Sequence, residues 1–213
     1  MFPLRDSKSS GIFPFWTIAI IVINVYIFIL ELTSGNPDFF IRRYALIPSR
    51  VDFANIETLF PFVTSQFIHA GFLHIGSNML FLWVFGDNVE GKLGHFLFPF
   101  FYLLAGAVGA LAQYMIVPNS SIPMLGASGA IAGVLGAYYV LFPRHSVRAL
   151  VLILFFPAII DVPASLMLVY WFFTQVFNSV ATITAGAQLG GVAWFAHVGG
   201  FVTGLVVGNI LKR

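Results

Sequence analysis

No cysteine occurs among the 213 residues, which excludes disulfides and thiol chemistry. Charge is nearly as scarce: 8% of the chain is Asp, Glu, Lys or Arg, against roughly 25% in soluble domains. Water cannot solvate a surface built from so few polar groups. By contrast, 59% of the residues are hydrophobic, in several runs of about 20, the length that crosses a bilayer core. The sequence therefore reads as a polytopic membrane protein with no soluble domain. It has no low-complexity tract and no inverted repeat of the transporter kind. The HExxH pattern of zinc proteases is missing, since no Glu follows His69 or His74. The spans offer no pair of carboxylates close enough to share a proton, which removes an aspartyl mechanism. No cofactor, metal or nucleic-acid partner is implied.

Six helical spans are expected, at roughly 13–30, 67–89, 95–117, 128–142, 164–177 and 192–211. Two basic residues, Arg5 and Lys8, precede the first run, which lacks a small-residue cleavage site and is expected to remain as an anchor. A long connection from Glu31 to Gln66 carries Pro37, Pro48 and Pro61. Its Phe39, Phe40, Ile41, Tyr44, Leu46 and Ile47 suggest that it lies partly in the membrane interface. Val147 to Ile160, broken by Pro157, reads as an interfacial or re-entrant segment, and Ala181 to Gly191 as a small-residue link. With the N-terminus cytoplasmic, the inner side holds Arg5, Lys8, Lys92, Arg144, Arg148, Lys212 and Arg213, and the outer side only Arg42, Arg43 and Arg50. That distribution favours both termini inside, in a bacterial cytoplasmic membrane.

Polar side chains inside spans are costly and by default mark function. The candidates are His69, His74, Asn78, Ser128 and His197. Ser128 and His197 each lie about 14 residues from the cytoplasmic end of their span, and His74 about 13, all close to 20 Å at 1.5 Å per residue. Three polar groups on three helices thus share one depth, about 10 Å below the outer edge of a 30 Å core. The fourth span, at about 15 residues, is too short to cross that core. Its N-terminus must start inside the membrane, where irregular backbone survives only if buried in protein or lining a wet cavity. Small residues show which helices can touch. His197, Gly200, Gly204 and Gly208 share one face of the sixth span, and Gly129, Gly133 and Ala137 give the fourth a similarly smooth one. Packing those faces would bring the Ser128 hydroxyl to the His197 imidazole, the geometry that activates a serine. The bland reading of Ser128, polar glue between helices, stands beside it.

Four blocks carry a resemblance: Gly126-Ala127-Ser128-Gly129; Ala196-His197-Val198-Gly199-Gly200 running on to Gly204; His69 through His74 to Asn78; and Gly86 with Val89-Glu90 and Gly94. In this order the chain resembles the rhomboid intramembrane serine proteases of the minimal six-helix type. The resemblance implies an all-α, six-transmembrane-helix bundle with a long first loop, formed by residues 1–213 as one membrane domain. It implies a Ser128–His197 dyad, with His74, Asn78 and the Ser128 backbone N–H as the oxyanion hole, and transmembrane proteins as substrates within the lipid bilayer. The alternative within the family is an inactive relative that binds membrane clients; keeping both Ser128 and His197 argues against it. Many rhomboids place an aromatic four residues after the serine to stack on the histidine. Here that residue is Ala132, which leaves Trp194 as the suggested orienting group. The family's first-loop Trp-Arg pair is also missing, with Arg42 and Arg43 as substitutes to anchor the loop.

The other polar and aromatic groups have plainer readings. His69 reads as structural or water-retaining, and Glu90 as a cytoplasmic cap or loop tie. Trp171, Phe172 and Phe173 face lipid or pack on the second span near Phe81 and Phe85; their sharper reading is a lateral gate for a substrate helix.

Overall fold

A computed structural model describes residues 1–154, 156–184 and 193–212. Helix α1 (Phe15–Thr33) is apolar apart from a buried stripe of Thr17, Asn24 and Glu31, and it starts behind Pro14 with no side-chain cap of its own. Its first N–H groups find an acceptor on another helix. The buried Glu90 carboxylate accepts from Trp16 N at 2.9 Å, and from Thr17 N and Thr17 Oγ1 at 2.8 Å each. A carboxylate at a helix N-terminus also suits the dipole.

The first loop is not structureless. It holds α2 (Pro37–Tyr44), capped by Asn36, whose Oδ1 accepts from Phe39 N at 3.0 Å, and the short α3 (Pro61–Thr64). No residue of α2 is buried, and Phe39 is exposed, as a helix lying in an interface requires. The tie seen in this loop is from Arg50, whose Nη1 donates to the Arg42 backbone carbonyl at 3.1 Å; among the described residues it does not involve the Arg42 or Arg43 guanidinium.

Helix α4 (Phe72–Ile116) is 45 residues long and loses helical geometry at Gly94 (φ 78°, ψ 160°), a backbone that glycine adopts without steric cost. The chain must double back there. Gln66 Nε2 donates to the Leu103 carbonyl at 3.1 Å. A straight helix would set Leu103 about 46 Å beyond Phe72, while the six residues from Gln66 to Phe72 span about 21 Å at most. The two arms, 72–93 and 95–116, match the second and third expected spans except at the start. His69 was expected inside the helix and instead lies ahead of it.

Helix α5 (Ser128–Leu141) is buried along most of its length and forms the centre of the bundle. It meets α7 (Trp194–Leu211) backbone to backbone. A Cβ at Gly200 would strike the Gly129 carbonyl oxygen, at Gly204 that of Gly133, and at Gly136 that of Phe201. The small-residue faces therefore bring the two helices into direct contact.

The all-α and re-entrant expectations need correction on the flank beside the C-terminal end of α5. Residues 147–160 belong to a hairpin, β2 (Ser146–Ile153) and β3 (Phe156–Pro163), joined by β1 (Phe2–Asp6) in an antiparallel sheet of order β1-β2-β3. Val147, Ala149 and Val151 point into the core while the apolar run continues on the other face, which hid the two-residue period. Pro157 is tolerated because β3 is an edge strand. After the sheet, α6 (Ala164–Thr184) extends past the expected end at 177. The expected link from Ala181 is helical as far as Thr184, and its remainder lies outside the described residues.

The chain carries membrane-spanning helices. Among the described residues, α1, α4 and α7 are long and apolar enough to cross a bilayer, and α5 and residues 164–180 of α6 are shorter apolar helices.

Candidate active site

The approach to Ser128 is held by the first loop. Leu46 and Met124 exchange backbone hydrogen bonds, Leu46 N to Met124 O at 2.9 Å and Met124 N to Leu46 O at 2.7 Å. Ser49 N donates to Ser120 O at 3.0 Å, and Gly126 N to Ser65 O at 2.9 Å. Irregular backbone preceding α5 is thereby satisfied by protein, as a dipping segment must be. Gly126 takes φ 116°, and a Cβ there would lie 2.7 Å from the His74 ring and 3.6 Å from Asn78 Nδ2. Bare backbone at this position lets both side chains close over the start of α5.

Ser128 is the first residue of α5, so its N–H belongs to the unbonded first turn. Its Oγ lies 2.7 Å from Nε2 of the buried His197. On the other side of that ring, Nδ1 lies 2.7 Å from Gln175 Oε1. The indole of Trp171 leans over the imidazole with centroids 5.8 Å apart at 35°, and Trp194 meets its edge at 5.9 Å and 89°. The hydrogen bond to Nδ1 thus comes from Gln175 on α6, and Trp194 supplies only an edge contact.

These groups border a cavity of about 420 Å³, with His74, Asn78, Ser128 and His197 around it. Asn78 Nδ2 donates to His69 Nε2 at 3.0 Å, and the His69 and His74 rings meet edge to face at 5.0 Å. His69 is fully buried, and its backbone N–H reaches Glu31 Oε2 at 3.3 Å. Its placement supports the Asn78 amide from behind. The five aromatic candidates separate, Phe173 being exposed. Phe81 and Trp171 line the cavity. Phe172 stacks on Phe201 at 4.6 Å, and Phe85 is buried with its ring edge-on to Tyr138 at 4.9 Å.

Gln175 is the residue that sequence reasoning passed over. A signal existed: it is an uncharged amide inside an apolar span, one turn after Trp171, and the rule that singled out Asn78 applies equally to it. Among the described residues, no group of three His, Cys, Asp or Glu side chains is arranged to hold a metal ion.

Sequence comparison now adds to the geometry. A rhomboid domain is matched over residues 57–213. The chain is 33% identical over 180 residues to Rhomboid protein 1, mitochondrial, of Saccharomyces cerevisiae, covering 82% of this chain and 47% of that protein. It is 29% identical over 189 residues to the human Presenilin-associated rhomboid-like protein, mitochondrial, covering 84% of this chain and 47% of the relative. A shorter match, 41% over 75 residues, is to Rhomboid protease GluP of Bacillus subtilis, with 35% of this chain and 14% of that protein covered. The chain spans about half the length of the first two of these curated relatives. A domain match over most of the chain, together with these relatives, makes this protein a member of the rhomboid family and an integral membrane protein.

Proposed function

We propose that this protein is an intramembrane serine endopeptidase that hydrolyses transmembrane segments of other membrane proteins, without metal or cofactor. The observation that carries the reading is the 2.7 Å contact between Ser128 Oγ and His197 Nε2 on the border of a cavity of about 420 Å³. A hydroxyl and an imidazole packed only as glue need no open space beside them.

In this mechanism Ser128 Oγ attacks the scissile carbonyl carbon as its proton passes to His197 Nε2. The tetrahedral oxyanion is held by the Ser128 backbone N–H, the Asn78 amide and the His74 ring, each such donor contributing about 3 kcal/mol in the transition state. His197 then returns the proton to the leaving amine, and water with His197 as base releases the acyl group. The relative from B. subtilis is a protease by its printed name, in line with this reading.

The six-span topology belongs to the same proposal. β1 pairs with β2, so residues 6 and 146 share one side of the membrane and the number of crossings between them is even. α1, the two arms of α4, and α5 supply four; α6 and α7 supply two more, returning the C-terminus to the side of the N-terminus. Basic residues put that side in the cytoplasm or its equivalent. The yeast and human relatives are mitochondrial by name, so the expected bacterial cytoplasmic membrane is not favoured over a mitochondrial one. The substrate helix enters beside Phe81 and Trp171 and unwinds near its outer end, because a hydrogen-bonded helix shields its carbonyls from attack.

The test is cleavage of a purified single-span substrate in detergent by wild type, Ser128→Ala and His197→Ala. Both variants are expected to be inert, and equal cleavage by wild type and Ser128→Ala would overturn the assignment. An inactive client-binding relative would show no Ser128-dependent cleavage and no labelling by a fluorophosphonate.

A further inference from the structure

We infer that Gln175 is a positioning residue that fixes the tautomer and orientation of His197, doing with a neutral amide what a buried carboxylate does in soluble serine proteases. The inference rests on the Ser128–His197 reading above and extends it to a third helix.

Hydrogen bonding around the amide determines which end faces the ring. Gln175 Nε2 lies 3.1 Å from the Trp171 carbonyl oxygen and 3.0 Å from Thr174 Oγ1, while the Thr174 hydroxyl itself donates to the Trp171 carbonyl at 2.6 Å. Reversing the amide would set its oxygen against that carbonyl oxygen, two acceptors with no proton between them. Oε1 therefore faces His197 Nδ1 at 2.7 Å. An amide oxygen can only accept, so Nδ1 carries the proton. Nε2 is then left as the acceptor, 2.7 Å from Ser128 Oγ. This is the tautomer a general base needs. The Gln175 side chain is buried, and Ser179 Oγ donates to the Gln175 backbone carbonyl at 2.8 Å.

The depth of the site explains why an amide stands here. A carboxylate at Nδ1 would have to be desolvated; the buried Glu31 meets the His69 N–H at 3.3 Å rather than the dyad, and Asp87, Glu90 and Asp161 lie toward the opposite end of the bundle. An amide supplies the acceptor without the ion. It also lacks the negative charge that stabilises an imidazolium, so its loss should cost less than loss of a triad carboxylate. Trp171, one turn earlier on α6, leans over the same ring, so one helix provides both the acceptor and the stacking surface that the fourth span, with Ala132, does not.

The experiment measures kcat and KM for a single-span substrate across pH, with wild type, Ser128→Ala, Gln175→Ala and Gln175→Glu, and records thermal unfolding of each in the same detergent. Gln175→Ala is expected to lower kcat about tenfold to hundredfold, part of the 10²–10⁴ available to general acid–base catalysis, with KM within about twofold. Gln175→Glu restores an acceptor and should recover much of that loss. A carboxylate beside Nδ1 favours the protonated imidazole, and the base must be neutral to act, so the acid limb of the Gln175→Glu profile should move to higher pH. A purely structural glutamine would not move that limb. If Ser128-dependent cleavage is present but Gln175→Ala keeps its kcat, or Gln175→Glu keeps the wild-type acid limb, the positioning role is wrong and the dyad stands. If cleavage does not depend on Ser128, the protease reading fails and this inference fails with it. Should Gln175→Ala unfold, the acid limb of Gln175→Glu decides alone.

Discussion

Helix α5 has a hydroxyl–imidazole pair near each end, and only one of them borders the cavity. Near its N-terminus Ser128 Oγ meets His197 Nε2 at 2.7 Å. Near its C-terminus Tyr138 Oη meets His145 Nδ1 at 3.1 Å. The lower pair is closed by a carboxylate. The Tyr138 hydroxyl donates to Asp6 Oδ2, Asn88 Nδ2 reaches the same oxygen at 2.6 Å, and His145 Nδ1 lies 3.3 Å from it. Tyr138 is fully buried, and every polar partner there belongs to the fold. The upper pair has no acid, a neutral amide behind the imidazole, and Asn78 and His74 around a cavity. A hydroxyl beside a histidine is thus not in itself a catalyst. What separates the two is where the hydroxyl proton can go and whether a substrate carbonyl could approach.

The largest expected contrast comes from removing each hydroxyl. Ser128→Ala should lower cleavage by at least about 10³-fold, whereas Tyr138→Phe should leave kcat within about threefold; a Tyr138→Phe enzyme as dead as Ser128→Ala would erase the distinction. Next is the amide contrast. Asn78→Ala should reduce kcat about 100-fold with little change in KM, while Asn88→Ala, at the lower cluster, should leave kcat unchanged and lower the unfolding temperature. Asp6→Ala comes third, because it strips the lower cluster of its acceptor. Stability should fall by about 2 kcal/mol, the range for hydrogen bonds to a charged group, with Ser128-dependent activity retained below the new melting temperature. The smallest effect belongs to Arg148→Ala. Its guanidinium pairs with Asp161 at 3.1 Å on the open face of the sheet, where both side chains are 59% exposed, and neither activity nor melting temperature should change measurably.

Much of the upper cluster was legible because it rests on two simple periodicities. Counting 1.5 Å per residue put His74, Ser128 and His197 at one level, and glycines at helical spacing identified the faces that touch. The cap role of Glu90 was readable as well, since an acid near a helix end has N–H groups to find. Gln175 was not read, because it lies in a run dominated by Trp171, Phe172 and Phe173 and carries no charge to draw attention. The sheet was not read either. Leu150, Leu152 and Ile159 share the open face with Arg148 and Asp161, which blurred the alternation, and pairing with Phe2–Asp6 joins segments that no local pattern connects. His69 was displaced from its expected helix because the helix begins only at Phe72.

The pairing of β1 has a consequence in time. Asp6 faces Val147 across the sheet, so the partner of the first strand is synthesised 141 residues later. At 5–20 residues per second that is a wait of roughly 7 to 28 s, during which α1 to α5 are made. Asp6 reaches Tyr138 and Asn88 only when the strand docks. The C-terminal end of α5 is therefore locked only after β2 has been made and β1 has docked on it.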